Sequence, residues 1–235
     1  MRINKFIASC GVASRRKAEQ FISEGLVKVN NKIITNLAFD VDETKDVVTL
    51  NDQKISLANE YVYYMLNKPK GYVTTMSDEK NRKSIIDLIG NIDNRVYPVG
   101  RLDYESEGLL IFTNDGELIQ RMQKPEYKVE KEYLVTVDRM LSEIELKEFA
   151  NGLETSKGNF LPCKIYKTGN RNYNVIIKEG KKRQIRNMFA YFGSTVKRLE
   201  RVRIGPILIG SLKEGEHIKL TSKEVRELYK CTGLK

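Results

Sequence analysis

The chain has 235 residues, 40% apolar and 31% charged, enough apolar side chains for a sizeable core and too mixed a composition for wholesale disorder. Its 41 Lys and Arg outweigh 31 Asp and Glu, and the resulting net charge of +10 favours polyanionic partners. No run approaches the roughly 20 apolar residues of a membrane span, and the N-terminus lacks the apolar segment of a secretory signal. Three scattered cysteines and a single histidine, His217, speak against a disulfide framework, a zinc cluster and His-activated nucleophiles. The expectation is a cytoplasmic protein with reduced thiols and no membrane partner.

This length suits two domains. In the first, "INKFIASCGVASRRKAEQFISEG" holds two short helical patterns. Ser14 is placed to cap the second, Ala18, Phe21 and Ile22 recur at helical spacing, and Gly25 sits where a left-handed cap belongs. "VKVNNKII" predicts a hairpin turning at Asn30-Asn31, and "VVTLNDQKI" a further strand and turn. Residues 1–36 carry seven bases against two acids, so the unit is basic as well as small.

A polar stretch from Ser56 to Glu60 marks the boundary, dividing the chain into domains 1–58 and 59–235. Beyond it, "YVYYMLNKPKGYVTT" predicts two strands around a Pro-Gly turn. There follow a helix near Ser84 to Ile89, a strand Leu109 to Thr113, a helix near Glu117 to Gln123, a strand Tyr133 to Val137 and a helix Ser142 to Ala150. Strands at Cys163 to Lys167 and Tyr173 to Lys178, a helix Arg183 to Phe192, a strand Thr195 to Glu200 and a helix Ser222 to Tyr229 complete the reading. Helices and strands alternate irregularly with hairpin-length connections, which predicts an α+β fold with a mixed, largely antiparallel sheet flanked by helices.

Two stretches carry candidate chemistry. In "YPVGRLDYESEGLLIFTND", Asp103 follows Gly100-Arg101-Leu102 and leads into an apolar strand; an acid beside a strand end and an arginine suits an oriented carboxylate, although most Asp-rich turns are merely solvated. Asp103, Glu105 and Glu107 alternate and would face one way in an extended segment, yet no metal is expected there. In "EGKKRQIRNMFAYFG", Ile185, Met188, Phe189 and Phe192 form an apolar stripe with Arg186 at its edge, and a buried arginine needs an acid. Residues 178–203 hold nine bases against two acids, a second basic cluster.

"VYPVGRLDYESEGLLIFTNDGEL", "EKEYLVTV", "EGKKRQIRNMFAYFG" and "VKRLERVRIG", in that order, resemble the successive motifs of the RsuA/RluB/RluE/RluF family of ribosomal RNA pseudouridine synthases. "NKFIASCGVASRRKAEQFISEGLVKVNNK" resembles the S4 RNA-binding domain that precedes the catalytic domain in that family, so the likeness spans nearly the whole chain. Within it, "EKEYLVTVD" and "VKRLERVRI" are most similar to the RluF type, which acts on large-subunit ribosomal RNA. The resemblance implies that Asp103 is the catalytic aspartate, Tyr133 stacks on the target base, Arg186 is the aspartate's basic partner and Leu199 lines the pocket; Arg101, in the same Gly-Arg-Leu-Asp stretch as Asp103, is expected to bind substrate with them. The two basic clusters are expected to contact RNA phosphates, through Lys5, Arg15, Arg16 and Lys17 in the first domain and Lys181, Lys182 and Arg183 in the second. Asn187 departs from the family, which often places an arginine there, and a phosphate or structural contact should be weaker for it.

Pseudouridine formation moves the glycosidic bond from N1 to C5 of uracil without net oxidation, so the resemblance implies no cofactor and no metal. Burial alone would neutralise a carboxylate, and a neighbouring guanidinium opposes that. A stacked uridine has to be extruded, and an aromatic ring can replace the lost stacking. The implied partner is large-subunit rRNA, bound by a monomer, with tRNA left open as a second substrate. Two alternatives stand beside this reading: a non-catalytic ribosome-associated RNA-binding protein, and a synthase of small-subunit rRNA.

Overall fold

The computed structural model describes residues 1–57, 60–76, 78, 80–90, 92 and 94–234. Two compact units emerge, one formed by Met1–Val62 with Ile92–Val96 and Asn114–Gly116, the other by Tyr63–Asn91, Tyr97–Thr113 and Glu117–Lys235. The boundary read at Ser56 to Glu60 includes Ala58 and Asn59, which lie outside the described residues.

In the first unit, helices α1 (Ile3–Ser9) and α2 (Arg15–Ser23) pack beside a sheet of β1 (Val27–Val29), β2 (Lys32–Ile33), β3 (Val48–Leu50) and β4 (Gln53–Ile55), ordered β2-β1-β3-β4. Ser14 caps α2 by accepting the Lys17 N–H at 3.2 Å, and Gly25 follows the helix at φ +71°. Both hairpins turn on two residues in the left-handed region, Asn30-Asn31 and Asn51-Asp52, the conformation that asparagine and aspartate tolerate best and that matches strand twist. Ile3, Phe6, Ile7, Ala18, Ile22 and Val27 form the centre of the core, all within 5% exposure.

The second unit holds β5 (Tyr63–Lys68), α3 (Ile86–Ile89), β6 (Tyr97–Pro98), β7 (Glu107–Thr113), α4 (Gly116–Gln123), β8 (Lys131–Val137), α5 (Glu143–Ala150), β9 (Leu153–Thr155), β10 (Gly158–Phe160), β11 (Lys164–Gly169), β12 (Asn172–Ile177), α6 (Gln184–Tyr191), β13 (Val196–Ile204), β14 (Ile207–Leu208), β15 (His217–Lys219) and α7 (Ser222–Thr232). Nine strands form one sheet in the order β11-β12-β8-β13-β7-β5-β15, with β14 beside β13 and β6 beside β7; β9 and β10 make a separate hairpin. Every pairing in the large sheet is antiparallel except β13 with β7. The α+β expectation, with its mixed, largely antiparallel sheet, holds.

One apolar cluster joins β8, β12 and β13 to α5 and α6 through Phe149, Tyr173, Met188 and Phe189; a second joins β5 and β7 to α4 and α7 through Leu109, Ile111, Leu118 and Leu228. Capping boxes open both α5, at Ser142 and Glu145, and α7, at Thr221 and Glu224. Some boundaries move from expectation. Arg183 is not the first residue of α6 but its N-cap, at φ +53°, and β13 runs on to Ile204 rather than ending at Glu200. The two- and three-residue strands β6, β9, β10 and β14 escaped the periodicity reading because so few residues show no alternation.

Candidate active site

Asp103 lies in the loop entering β7, and the hydrogen bonds that hold it are backbone ones. Its carbonyl accepts the Ser106 N–H at 3.0 Å. On one side of it the Thr74 hydroxyl donates to Leu102 O at 2.7 Å and faces the Leu102 N–H at 3.2 Å; on the other the Gly71 N–H donates to Tyr104 O at 2.9 Å. The segment after β5 therefore clamps both neighbours of Asp103, leaving the half-buried carboxylate to face a cleft.

That cleft holds about 610 Å³ and is walled by Asp103, Tyr133, Leu199, Thr74, Lys131 and Arg201, with Arg101, Lys181, Lys182 and Arg183 exposed around it. Tyr133 and Leu199 are 8% and 6% exposed, so the residual surface of each is what the cleft offers to a ligand. Strand pairing brings them together: in the β8–β13 register Tyr133 stands opposite Arg201 and Leu199 opposite Val135.

Arg186 does not meet the expectation of a direct salt bridge to Asp103. Its guanidinium donates to Val196 O and Glu105 O, each at 3.0 Å, and to Ser106 Oγ at 3.3 Å. Carbonyls of the loop and of β13 lie closer to α6 than the carboxylate does, and they take the donors. Arg186 thus fixes the Asp103 loop from behind, and its charge attracts Asp103 only at longer range; burial, the larger influence, pushes the guanidinium down. The alternation of Asp103, Glu105 and Glu107 does not gather the acids either: Glu105 pairs with Arg183 at 3.3 Å, whereas Glu107 bonds Arg198 and lies 3.9 Å from Lys70.

Three cations near the loop were missed in the sequence. Lys68 is completely buried, with Nζ donating to Pro69 O at 2.7 Å and Tyr72 O at 2.9 Å, which ties the strand end to the clamping segment; burial pushes it down to about 8, with attraction from Glu107 opposing. Lys131 and Arg201 stand in the cleft wall itself. Their signal was the strand period: Lys131 precedes Tyr133 by two, Arg201 follows Leu199 by two, and residues two apart in a strand share a face.

Burial, and then repulsion from Arg201, pushes Lys131 down to about 8. At pH 8 its neutral fraction is then roughly a hundredfold that of an ordinary lysine titrating at about 10.4. A dilute acetylating reagent at pH 8 should therefore modify Lys131 ahead of exposed lysines such as Lys54 and Lys80, as read by peptide mass mapping. Equal labelling would contradict the shift.

Lys5, Arg15, Arg16 and Lys17 are exposed on the first unit, where Lys17 bonds Gln20 at 2.9 Å and sits 5.0 Å over the Phe21 ring. Asn187 donates to Lys182 O at 3.2 Å, a contact within its own helix start.

Residues 62–191 match the RNA pseudouridylate synthase family and residues 1–48 the S4 domain. The chain is 41% identical to an uncharacterized RNA pseudouridine synthase of Aquifex aeolicus over 100% of its own length and 96% of the relative's. It is 37% identical to ribosomal large subunit pseudouridine synthase B of Bacillus subtilis (97% and 95% covered), and 37% to the dual-specificity RNA pseudouridine synthase RluF of Escherichia coli (98% and 79%). Among solved structures, a crystal structure of a pseudouridylate synthase superimposes with a TM-score of 0.70 at 31% identity, covering 97% of this chain and 99% of that one.

Proposed function

Because the chain belongs to the RNA pseudouridylate synthase family, we propose that it converts a specific uridine of large-subunit ribosomal RNA to pseudouridine, with Asp103 as the catalytic group. The observation that carries this reading is the carboxylate held by its own backbone at a cleft walled by Tyr133 and Leu199. A uridine flipped from its stack places its faces against that ring and that apolar side chain, and its ribose within reach of Asp103.

The reaction balances without a co-reactant. The N1–C1′ bond breaks, the base turns, C5 bonds C1′, the C5 proton leaves and N1 gains one. Asp103 acts by attack on the sugar or the ring, or by taking a ribose proton; each route needs an ionised carboxylate in a pocket from which the detached base cannot escape. Arg186, a positioning residue here, keeps the loop in place and adds positive potential behind it. Arg101, Lys181, Lys182 and Arg183 meet phosphates at the cleft, and Lys5, Arg15, Arg16 and Lys17 grip the RNA from the S4 unit, setting affinity without reading bases.

Mapping pseudouridines in rRNA from cells lacking the protein, and from the same cells with it restored, tests the assignment. One or a few sites in the large-subunit RNA should vanish and return. An unchanged map would leave only RNA binding, and a site in small-subunit rRNA or tRNA would move the substrate. In vitro, changing Arg15, Arg16 and Lys17 together to Ala should weaken RNA binding and flatten its log–log salt dependence by about 2 to 3, with single-turnover rate on saturating RNA unchanged. An unaltered salt slope would remove the S4 helix from the interface.

A further inference from the structure

Lys131 and Arg201 are two cations in the wall of the cleft without an anion in contact among the described residues. Arg201 is only 4% exposed; its Nε donates to Leu109 O at 2.7 Å, while its Nη2 is buried and has no partner. Lys131 makes one long hydrogen bond, 3.4 Å to Met122 O. A buried guanidinium donor left open costs stability, and two like charges close enough to disfavour one another cost more. Nη2 itself is sealed within the wall, so what a ligand can meet is the part of Arg201 that lines the cleft, a cation with no anion in contact and with Lys131 beside it.

We propose that Arg201, with Lys131 beside it, binds the carbonyl oxygens of the flipped uracil and stabilises the negative charge that the ring acquires during the reaction. The inference rests on the pseudouridine synthase reading and adds two substrate-binding residues to it. When the N1–C1′ bond breaks, its electron pair stays on the ring and spreads onto O2 and O4; attack of a carboxylate on the ring likewise puts charge on a carbonyl oxygen. Under each route a fixed donor at one carbonyl is worth more in the transition state than before it. The occupant is the base and not a phosphate because of depth. The exposed bases Arg101, Lys181, Lys182 and Arg183 are available to the backbone, whereas Arg201 stands among Tyr133, Leu199 and Ile204, all within 8% exposure. A phosphodiester would have to shed its hydration shell to arrive there; a planar base with apolar faces and two carbonyls sheds far less.

The experiment measures single-turnover rates on an RNA bearing the mapped target as uridine, 2-thiouridine or 4-thiouridine, sulfur being the weaker acceptor. Wild type should slow on at least one thio substrate. Arg201→Met should lose on the order of 100-fold on uridine, and should be indifferent to the thio substitution that wild type resists. Lys131→Met, at a half-buried position, is the second variant should Arg201→Met fail to fold, and should show a smaller loss with a reduced thio effect. The salt slope of RNA binding should stay as in wild type. Variants with wild-type rates, or slowed variants that keep full thio sensitivity, overturn the proposal, and a salt slope reduced by about one would assign the pair to a phosphate instead. Should wild type itself form no pseudouridine, the functional reading fails; an active wild type with indifferent variants sinks only this subsite.

Discussion

Replacing Asp103 by Asn should abolish pseudouridine formation while leaving the fold intact. The substitution keeps size and shape, and the hydrogen bonds that hold the loop run through Leu102, Asp103 O, Tyr104 O and Glu105 O rather than through the carboxylate. Melting should therefore shift by less than about 0.5 kcal/mol. An amide can neither attack nor take a proton, so the single-turnover rate should fall by about four orders of magnitude or more, the scale seen when a nucleophile or its base is removed. RNA should still bind, because the exposed cations Arg15, Arg16, Lys17, Lys181, Lys182 and Arg183 are untouched. A variant that retains even a tenth of the rate, on the order of 1.4 kcal/mol of lost stabilisation, would place the chemistry elsewhere in the cleft.

The largest structural effect should come from Gly108→Ala. Gly108 sits at φ +101°, opposite Arg201 in the one parallel pairing of the large sheet. A Cβ there would stand 2.3 Å from Arg201 O and 2.7 Å from Arg201 N, and backbone atoms within a ladder cannot swing aside as a flexible side chain would. Relief requires β7 to part from β13, the joint between the strands of the two apolar clusters. With the left-handed backbone penalty of about 1 to 2 kcal/mol added to the clash, the loss should exceed about 4 kcal/mol. The variant should accumulate in inclusion bodies or melt far below wild type by circular dichroism; a melt coincident with wild type would show that the two strands can separate without cost. The same residue explains how Arg201 reaches the cleft, since only a glycine lets β13 approach the strand that follows the Asp103 loop so closely.

Much of this was legible from the residues alone, and for local reasons. Ser14 as a cap, Asn30-Asn31 as a turn and the stripe of Ile185, Met188 and Phe189 each depend on neighbours within a few positions, so spacing and side-chain chemistry were enough to place them. Motif order likewise marked Asp103, Tyr133, Arg186 and Leu199 as one group, and the fold does bring Asp103, Tyr133 and Leu199 to one cleft. What the sequence could not specify was where each donor points. Arg186 was expected to grasp the carboxylate; in the fold, carbonyls of two distant segments claim its hydrogen bonds, because competition among acceptors is settled by distance across the sheet and not along the chain. Lys131 and Arg201 lie just outside the expected strands Tyr133 to Val137 and Thr195 to Glu200; β8 and β13 run past those bounds, and their pairing, with Gly108 admitting the third strand, buries Arg201 and half-buries Lys131 in one cleft wall. Local propensity thus determined the elements and the chemical alphabet of the site, while the burial that gives those charges their force arose from contacts between residues tens of positions apart.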